Sequence, residues 1–141
     1  MPLPRIRVLV IDDSPIERQL IAAVLAEEPD LEVVGYASDG NEARTRIKTL
    51  DPDVLTLDLA MEGMGGLPFL RNLMRLRPMP VVVCSGVEAT SSEAHAALAA
   101  GAARFVSKTL LSGPVSRTFG TALAHALREA AFSSAPPTAS R

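Results

Sequence analysis

The stretch VLVIDDS at residues 8–14 decides the fold of this chain, because an apolar strand runs directly into two carboxylates and a helix start. Strands that are almost continuously apolar suit parallel sheets, whose two faces are both covered by helices. Ser14 can cap the following helix, Pro15 fits its first turn, and Glu17 completes a capping box with Ser14. The stretch therefore predicts the first strand and helix of a parallel sheet.

The same alternation of apolar strand and helical segment recurs along the chain. The predicted strands span residues 6–11, 31–36, 54–57, 81–84 and 104–106. The first predicted helix begins after Ser14, and the others span residues 41–50, 67–76, 92–100 and 116–132. Five strand–helix units in this order predict an α/β fold, a (βα)5 doubly wound parallel sheet with helices on both faces.

One face of the first helix is predicted to be buried. Ile16, Leu20 and Val24 repeat every four residues, and Ile21 and Leu25 do the same. Apolar residues at this spacing form a stripe along a helix that packs against the rest of the domain.

Length and composition indicate one folded domain in the cytoplasm. The chain has 141 residues, of which 48% are hydrophobic, and this excludes a disordered polypeptide. We expect the domain to cover residues 1–132, because residues 133–141 hold Ser, Ala, Pro and Thr and suit a flexible tail or the start of an interdomain linker. A net charge of −2 without a basic stripe argues against a nucleic-acid partner. No apolar run approaches the roughly 18 residues of a membrane span, so no membrane partner is expected.

Polar side chains follow four of the five predicted strands, at the point where each strand ends. Asp12 and Asp13 follow the first strand, Asp58 the third, Ser85 the fourth, and Lys108 closely follows the fifth. Because ligands of doubly wound sheets bind beyond the carboxyl ends of the strands, these side chains are expected to share one pocket. Three carboxylates repel one another unless a cation or an ammonium lies between them. The set therefore predicts a site for a hard cation such as Mg²⁺ and a phosphoryl group, with a carboxylate able to act as nucleophile.

Each of these residues also has a simpler interpretation. Asp is common in turns and at helix starts, a serine at a strand end can bond to nearby backbone, and a lysine can be a solvated surface residue. For Ser85 and Lys108 taken singly, the simpler interpretation is favoured. The joint spacing of all five residues is what indicates a shared site.

Other activities on the same fold lack support in the sequence. The residues after the first strand read DDSPIE, where a dinucleotide-binding fingerprint needs GxGxxG, and no Walker A loop occurs. His95 and His125 lie on predicted helices without Cys or Asp at ligand spacing, so both are interpreted as surface residues. Cys84 lies in an apolar strand and is interpreted as a small buried hydrophobe.

Together, five motifs resemble the receiver domain of two-component response regulators. They are VLVIDDS, DVLTLDL, GLPFL, VVVCSG and GAARFVSK, and they occur in the family's order between residues 8 and 108. Within the family, IRVLVIDDS, PDLEVVGYASDGNEA, LMRLRPMPVVV and SGPVS resemble the receiver of chemotaxis methylesterases of the CheB type. The resemblance implies a flavodoxin-like, CheY-like sheet with strand order 2-1-3-4-5. Since no GxSxG elbow occurs, the chain is expected to be regulatory and not itself an enzyme, either excised from a methylesterase or standing alone.

The resemblance also implies a role for each residue of the metal and phosphoryl site. Asp58 is the residue that would take a phosphoryl group from a histidine kinase. Asp13 would bind Mg²⁺ directly, Asp12 mainly through water, and Ala60 through its backbone carbonyl.

A second set of implied roles concerns switching. Ser85 and Lys108 would contact the phosphoryl oxygens, and Phe105 would be the aromatic switch residue. Phosphorylation would then repack the surface of the fourth helix, fifth strand and fifth helix, which would act on a downstream output domain or protein. An alternative is a degenerate receiver that binds partners without phosphorylation.

Three positions depart from the family pattern. The loop after Asp58 has Met61-Glu62 and Gly65-Gly66 where Met-Pro and Asp-Gly are usual, which is expected to loosen the loop and to add the charge of Glu62 near the pocket. Lys108 is followed by Thr109 where the family has a proline after a cis bond. A cis bond before a residue other than proline costs roughly 3 kcal/mol, so either a strained cis bond or a displaced Lys108 is expected.

Overall fold

The computed structural model describes residues 5–61, 63, 65–88, 90–108 and 116–133. Within these residues, five strands alternate with five helices. The strands are β1 (Ile6–Ile11), β2 (Leu31–Ala37), β3 (Val54–Leu57), β4 (Val81–Ser85) and β5 (Arg104–Ser107). The helices are α1 (Pro15–Leu25), α2 (Gly40–Leu50), α3 (Gly66–Leu76), α4 (Ser92–Ala99) and α5 (Ser116–Ser133).

The five strands form one parallel sheet in the order β2-β1-β3-β4-β5. This confirms the doubly wound (βα)5 fold and the expected strand order 2-1-3-4-5. β1 and β3 have the predicted bounds, whereas β2, β4 and β5 each run one residue further than predicted, to Ala37, Ser85 and Ser107. Ile11 pairs with Leu57, so the residues that follow them emerge side by side where the strand order reverses.

The core is divided into two layers by the sheet. Alternate residues of β1 point to opposite faces, so Val8 and Val10 join α1 and α5 while Leu9 and Ile11 join α2, α3 and α4. All four of these β1 residues are fully buried. This two-sided burial explains why the strand is apolar along its length, and it fixes the carboxyl end of β1 between β2 and β3.

The predicted buried face of α1 is partly wrong. Ile21 and Leu25 are buried and Val24 is half-buried, but Ile16 is 70% exposed and Leu20 39% exposed. At 3.6 residues per turn the five apolar residues spread over about 180° of the helix, which is wider than one contact with the sheet and α5 can cover. Only the half centred on Ile21 and Leu25 is packed.

The start of α3 lies against the backbone that follows β3. Gly65 caps the helix with φ +84° and without a side-chain hydrogen bond, which accounts for a glycine at this departure from the family pattern. The Gly66 amide donates to the Leu59 carbonyl at 3.1 Å. A Cβ at Gly66 would lie 2.4 Å from the Asp58 carbonyl oxygen and 2.6 Å from the Leu59 Cα. The absence of a side chain at Gly66 therefore lets α3 hold the segment that carries Asp58.

We expect Gly66→Ala to lower the free energy of unfolding by about 3 kcal/mol, at the upper end of the overpacking range, because the clashing atoms belong to backbone. Urea unfolding followed by circular dichroism measures the change. Gly86→Ala is the matched control, since a Cβ at Gly86 meets nothing within 4 Å. Equal stability of the two variants would contradict the tight contact at Gly66.

Three further side chains agree with their predicted places. His95 and His125 are exposed on α4 and α5. Cys84 is 1% exposed in β4, and burial raises the pKa of its thiol to about 12. Among the described residues, no helix is long and apolar enough to cross a bilayer.

Candidate functional site

Buried polar side chains concentrate at one edge of the sheet. Of the five buried polar or charged residues in the described part of the chain, four follow or end a strand at its carboxyl edge: Asp12, Asp58, Ser85 and Lys108. Their exposed fractions are 1%, 5%, 0% and 9%. Burying charged groups is costly unless they are paired, so this concentration marks a site and not a random surface.

The ammonium of Lys108 is the centre of the site. Its Nζ lies 2.5 Å from Asp12 Oδ2, 2.5 Å from Glu17 Oε1 and 3.4 Å from Asp58 Oδ2. Burial alone would lower the pKa of Lys108, but the hydrogen bonds to Asp12 and Glu17 and the charge of Asp58 outweigh it and raise the pKa. Lys108 is therefore charged and points into the pocket. The bond between Lys108 and Thr109 lies outside the described residues, so the expected cis geometry stays a prediction.

Asp58 is held by donors on one of its oxygens. Oδ1 accepts hydrogen bonds from the Ser85 hydroxyl at 3.2 Å and from the Ala60 amide at 3.1 Å. The Asp58 amide donates to the Ile11 carbonyl at 3.0 Å, which ties the residue to the end of β1. This arrangement fixes the carboxylate and leaves Oδ2 directed toward Lys108.

Asp12 is buried more completely than any other acidic residue of the pocket. Its Oδ1 accepts from the Ser14 amide at 2.9 Å, and its carbonyl accepts from the Arg18 guanidinium at 2.8 Å. Burial raises the pKa of Asp12; hydrogen bonds from Lys108 and Ser14 lower it in part, and the charge of Asp58 raises it further. Burial thus disfavours the ionised carboxyl despite its contact with Lys108, and a cation bound nearby would favour the ionised form.

Glu17 belongs to the pocket, although the capping box predicted for it accounts only for a role at the start of α1. The Ser14 hydroxyl does accept from the Glu17 amide at 3.2 Å, as predicted for the helix cap. The reciprocal hydrogen bond of the predicted capping box, from the Ser14 amide to the Glu17 side chain, is wrong. The Ser14 amide donates to Asp12 instead, and the Glu17 carboxylate contacts Lys108. The sequence feature that points to this role is the position of Glu17 in the first turn of α1. That turn follows the carboxyl end of β1 and so faces the pocket.

Three carboxylates lie close enough to share one cation. Oxygens of Asp12, Glu17 and Asp58 are all within 4.8 Å of one another. Carboxylate oxygens are the ligands that Mg²⁺ prefers, so this donor set fits the expected ion. Asp13 is half-buried at the next position and Ala60 is exposed; neither belongs to this group of three, and their roles as ligands stay predictions. Glu62, with its expected charge near the pocket, lies outside the described residues.

Phe105 lies on the edge strand β5, on the side of the sheet that α2, α3 and α4 cover. It is half-buried, pairs in register with Val83 and packs against the cluster that contains α2, α3 and α4. Two residues after Phe105 on β5, Ser107 pairs with Ser85 of β4. The strand therefore connects the aromatic ring to the end of the sheet where Lys108 enters the pocket.

A family model of the response regulator receiver domain matches residues 8–113. The chain belongs to the response regulator receiver family. Receivers take phosphoryl groups from histidine kinases, bind Mg²⁺ at an acidic pocket and regulate output domains. The receiver described here is a regulatory domain.

Comparisons with known proteins place this receiver near those of chemotaxis methylesterases. It is 53% identical over 103 residues to the protein-glutamate methylesterase/protein-glutamine glutaminase of Agrobacterium fabrum, covering 72% of this chain and 29% of that protein. The chain thus spans about three tenths of the length of the curated relatives it matches. Its fold matches the response regulator domain of Thermotoga maritima CheB with TM-score 0.82 and 33% identity, covering 90% of this chain and 96% of that one. The BeF3-activated receiver of Klebsiella pneumoniae RstA matches with TM-score 0.73 and 27% identity over 89% of this chain and 98% of that one.

Proposed function

We propose that Asp58 of this receiver accepts a phosphoryl group from a histidine kinase, and that the domain thereby regulates a methylesterase of the CheB type. The observation that carries the proposal is the setting of Asp58. Its carboxylate is buried, held on one oxygen by Ser85 and Ala60, and faces the Lys108 ammonium with the other. A fixed nucleophile with donors on either side is what transfer of a phosphoryl group requires.

In the transfer step, an oxygen of Asp58 forms a bond to phosphorus while the P–N bond of the donor phosphohistidine breaks. The imidazole nitrogen leaves with the bonding electron pair. Lys108 and Ser85 then donate hydrogen bonds to the phosphoryl oxygens. We assign Mg²⁺ to Asp12, Asp13, Asp58 and the Ala60 carbonyl, and not to Glu17, whose carboxylate contacts Lys108 from the more exposed side of the pocket. When bound, the ion would supply the positive charge that lets a dianionic group approach an acidic pocket.

Switching follows from a change in the partner of Ser85. Its hydroxyl now donates to Asp58, and it would turn to a phosphoryl oxygen after transfer, vacating space into which Phe105 can rotate. Moving a two-state equilibrium from 1:99 to 99:1 takes about 5.5 kcal/mol, and two charge-assisted hydrogen bonds of roughly 1.5–3 kcal/mol each supply most of it. The repacked surface of α4, β5 and α5 is the proposed contact with the output domain or protein.

The setting of this proposed function is the cytoplasm, where the histidine kinase would carry its phosphoryl group. The net charge of −2 suits protein partners better than nucleic acid.

The proposal is tested by adding a small phosphoryl donor and Mg²⁺ and measuring the intact mass of the protein. We expect one added phosphoryl group, which is released by hydroxylamine and does not form when EDTA removes the cation. A chain that gains no phosphoryl group with an active donor would instead be a phosphorylation-independent binding module.

We expect Ser85→Ala to retain phosphorylation and to lose the response of the output face. The methyl group cannot donate to a phosphoryl oxygen, so the link from Asp58 to Phe105 is broken. ¹H–¹⁵N spectra with and without Mg²⁺ and beryllofluoride, a phosphoryl analogue, measure the shifts of β5 and α5. Ser92→Ala replaces an exposed serine on α4 and should respond like the unaltered chain. Full shifts in Ser85→Ala would contradict this route of switching.

A further inference from the structure

The contact between Glu17 and Lys108 stands apart from the others in the pocket. Glu17 Oε1 is 2.5 Å from the Lys108 Nζ, nearer than Asp58 Oδ2 at 3.4 Å. The Glu17 side chain is 40% exposed, whereas the side chains of Asp12 and Asp58 are 1% and 6% exposed. Glu17 therefore binds Lys108 from the solvent side of the pocket, between the ammonium and the mouth of the site.

Local structure does not need this carboxylate. The cap of α1 uses the backbone amide of Glu17 and the hydroxyl of Ser14, and the Ser14 amide is occupied by Asp12. The described hydrogen bond of the Glu17 side chain goes to Lys108. A change of this side chain should thus alter the environment of Lys108 while α1 stays folded.

We propose that Glu17 is a positioning residue that holds Lys108 in a resting place and competes with the phosphoryl group for it. The inference rests on the proposed function. An ammonium has three N–H donors, and Asp12 and Glu17 take two of them at 2.5 Å. A phosphoryl group on Asp58 needs at least one donor, and Glu17, the most exposed partner, is the one released. Its charge also repels an anionic group that enters the pocket.

The amide variant Glu17→Gln is expected to bind beryllofluoride with Mg²⁺ about fivefold more tightly, which corresponds to roughly 1 kcal/mol for a partly exposed ion pair. Glu17→Asp should fall between the two, because its shorter chain keeps the charge but weakens the contact. Glu27→Gln removes the same charge from an exposed position beyond the other end of α1 and should leave the affinity unchanged.

Lysine signals give a direct readout of the positioning role. The sequence holds two lysines, Lys48 and Lys108, and Lys48 is exposed on α2. In protein labelled with ¹³C and ¹⁵N only at lysine, the Lys108 side-chain signal should shift in Glu17→Gln without any ligand, while the Lys48 signal stays in place. Beryllofluoride should then move the Lys108 signal to a similar end point in both proteins.

The outcomes separate this inference from the function on which it rests. If the unaltered chain binds no beryllofluoride, the proposed function is overturned and the inference falls with it. If the unaltered chain binds and Glu17→Gln binds equally or more weakly, only the role of Glu17 is overturned. An unchanged Lys108 signal in Glu17→Gln would overturn it as well, since the contact would then not position the ammonium.

Discussion

We expect Asp58→Asn to abolish the phosphoryl adduct: after treatment with a phosphoryl donor and Mg²⁺, the variant should keep the mass of the untreated protein. A neutral amide is a poor nucleophile toward phosphorus, so the chemical step is lost. The fold should remain, because the amide oxygen can still accept from Ser85 and Ala60. One negative charge also leaves a pocket that holds three carboxylates around one ammonium. The variant is therefore expected to be at least as stable as the unaltered chain.

Intact-mass spectrometry makes this comparison, with urea unfolding as the check on stability. Asp51→Asn is the matched control. Asp51 is the C-cap residue that follows α2, with φ 48°, a conformation that asparagine tolerates well, and its side chain is 79% exposed. The control should gain one phosphoryl group as the unaltered chain does. An adduct that persists in Asp58→Asn would show that another residue accepts the phosphoryl group.

Lys108→Met is expected to lower the free energy of unfolding by about 3–5 kcal/mol in the absence of divalent cations. The ammonium contacts Asp12, Glu17 and Asp58, and its removal leaves two buried carboxylates without a positive partner. Domains of this kind are stable by about 5–15 kcal/mol, so the loss is a large part of the total. Millimolar Mg²⁺ should restore much of it, since the ion can replace the missing charge.

The loss of unfolding free energy in Lys108→Met should be larger at neutral pH than in acid. Without Lys108, the raised pKa of Asp12 rises further, because the hydrogen bond that lowers it is gone. A carboxyl whose pKa is higher in the folded state binds more protons there, so stability falls as pH rises from the unfolded value of about 3.9 through the folded one. Lys108 of the unaltered chain stays charged up to about pH 10.4 and beyond. The difference between the two proteins therefore grows from acid to neutral pH and stays constant up to about pH 10.4, above which the unaltered chain also loses the contribution of Lys108.

Urea unfolding at several pH values, with EDTA or with Mg²⁺, measures both effects. Lys48→Met removes the same charge from an exposed position on α2 and should change stability by no more than about 0.5 kcal/mol. If Lys108→Met matched the stability of the unaltered chain at neutral pH without a cation, Lys108 would not be the charge that holds the pocket together.

The sequence was sufficient to predict the parts of the fold that depend on periodicity. Residues 6–11 and 54–57 are apolar because both faces of the sheet are covered, and their bounds agree with the structure. The meeting of Asp12, Asp58, Ser85 and Lys108 could also be predicted, because parallel strands end at a common edge. These features follow from backbone direction alone and require no knowledge of side-chain conformation.

The features that could not be predicted depend on side-chain direction and on the width of a contact. Glu17 has the spacing of a capping box, but its carboxylate binds the Lys108 ammonium, whose position the sequence does not reveal. Ile16 and Leu20 have helical spacing, but whether an apolar stripe is covered depends on the neighbouring element, and α5 reaches only part of α1. Both cases are settled by contacts between residues distant in the chain.

The burial of Cys84 has a practical consequence for spectroscopy of a protein that contains no tryptophan. Burial leaves the thiol 1% exposed and raises its pKa to about 12, and maleimide dyes react with the accessible, ionised form of a thiol, so Cys84 should react slowly at neutral pH. A cysteine introduced by Leu98→Cys, at a 41% exposed position on α4, can therefore be labelled without first replacing the native one. A single fluorophore would then follow the movement of that helix in real time.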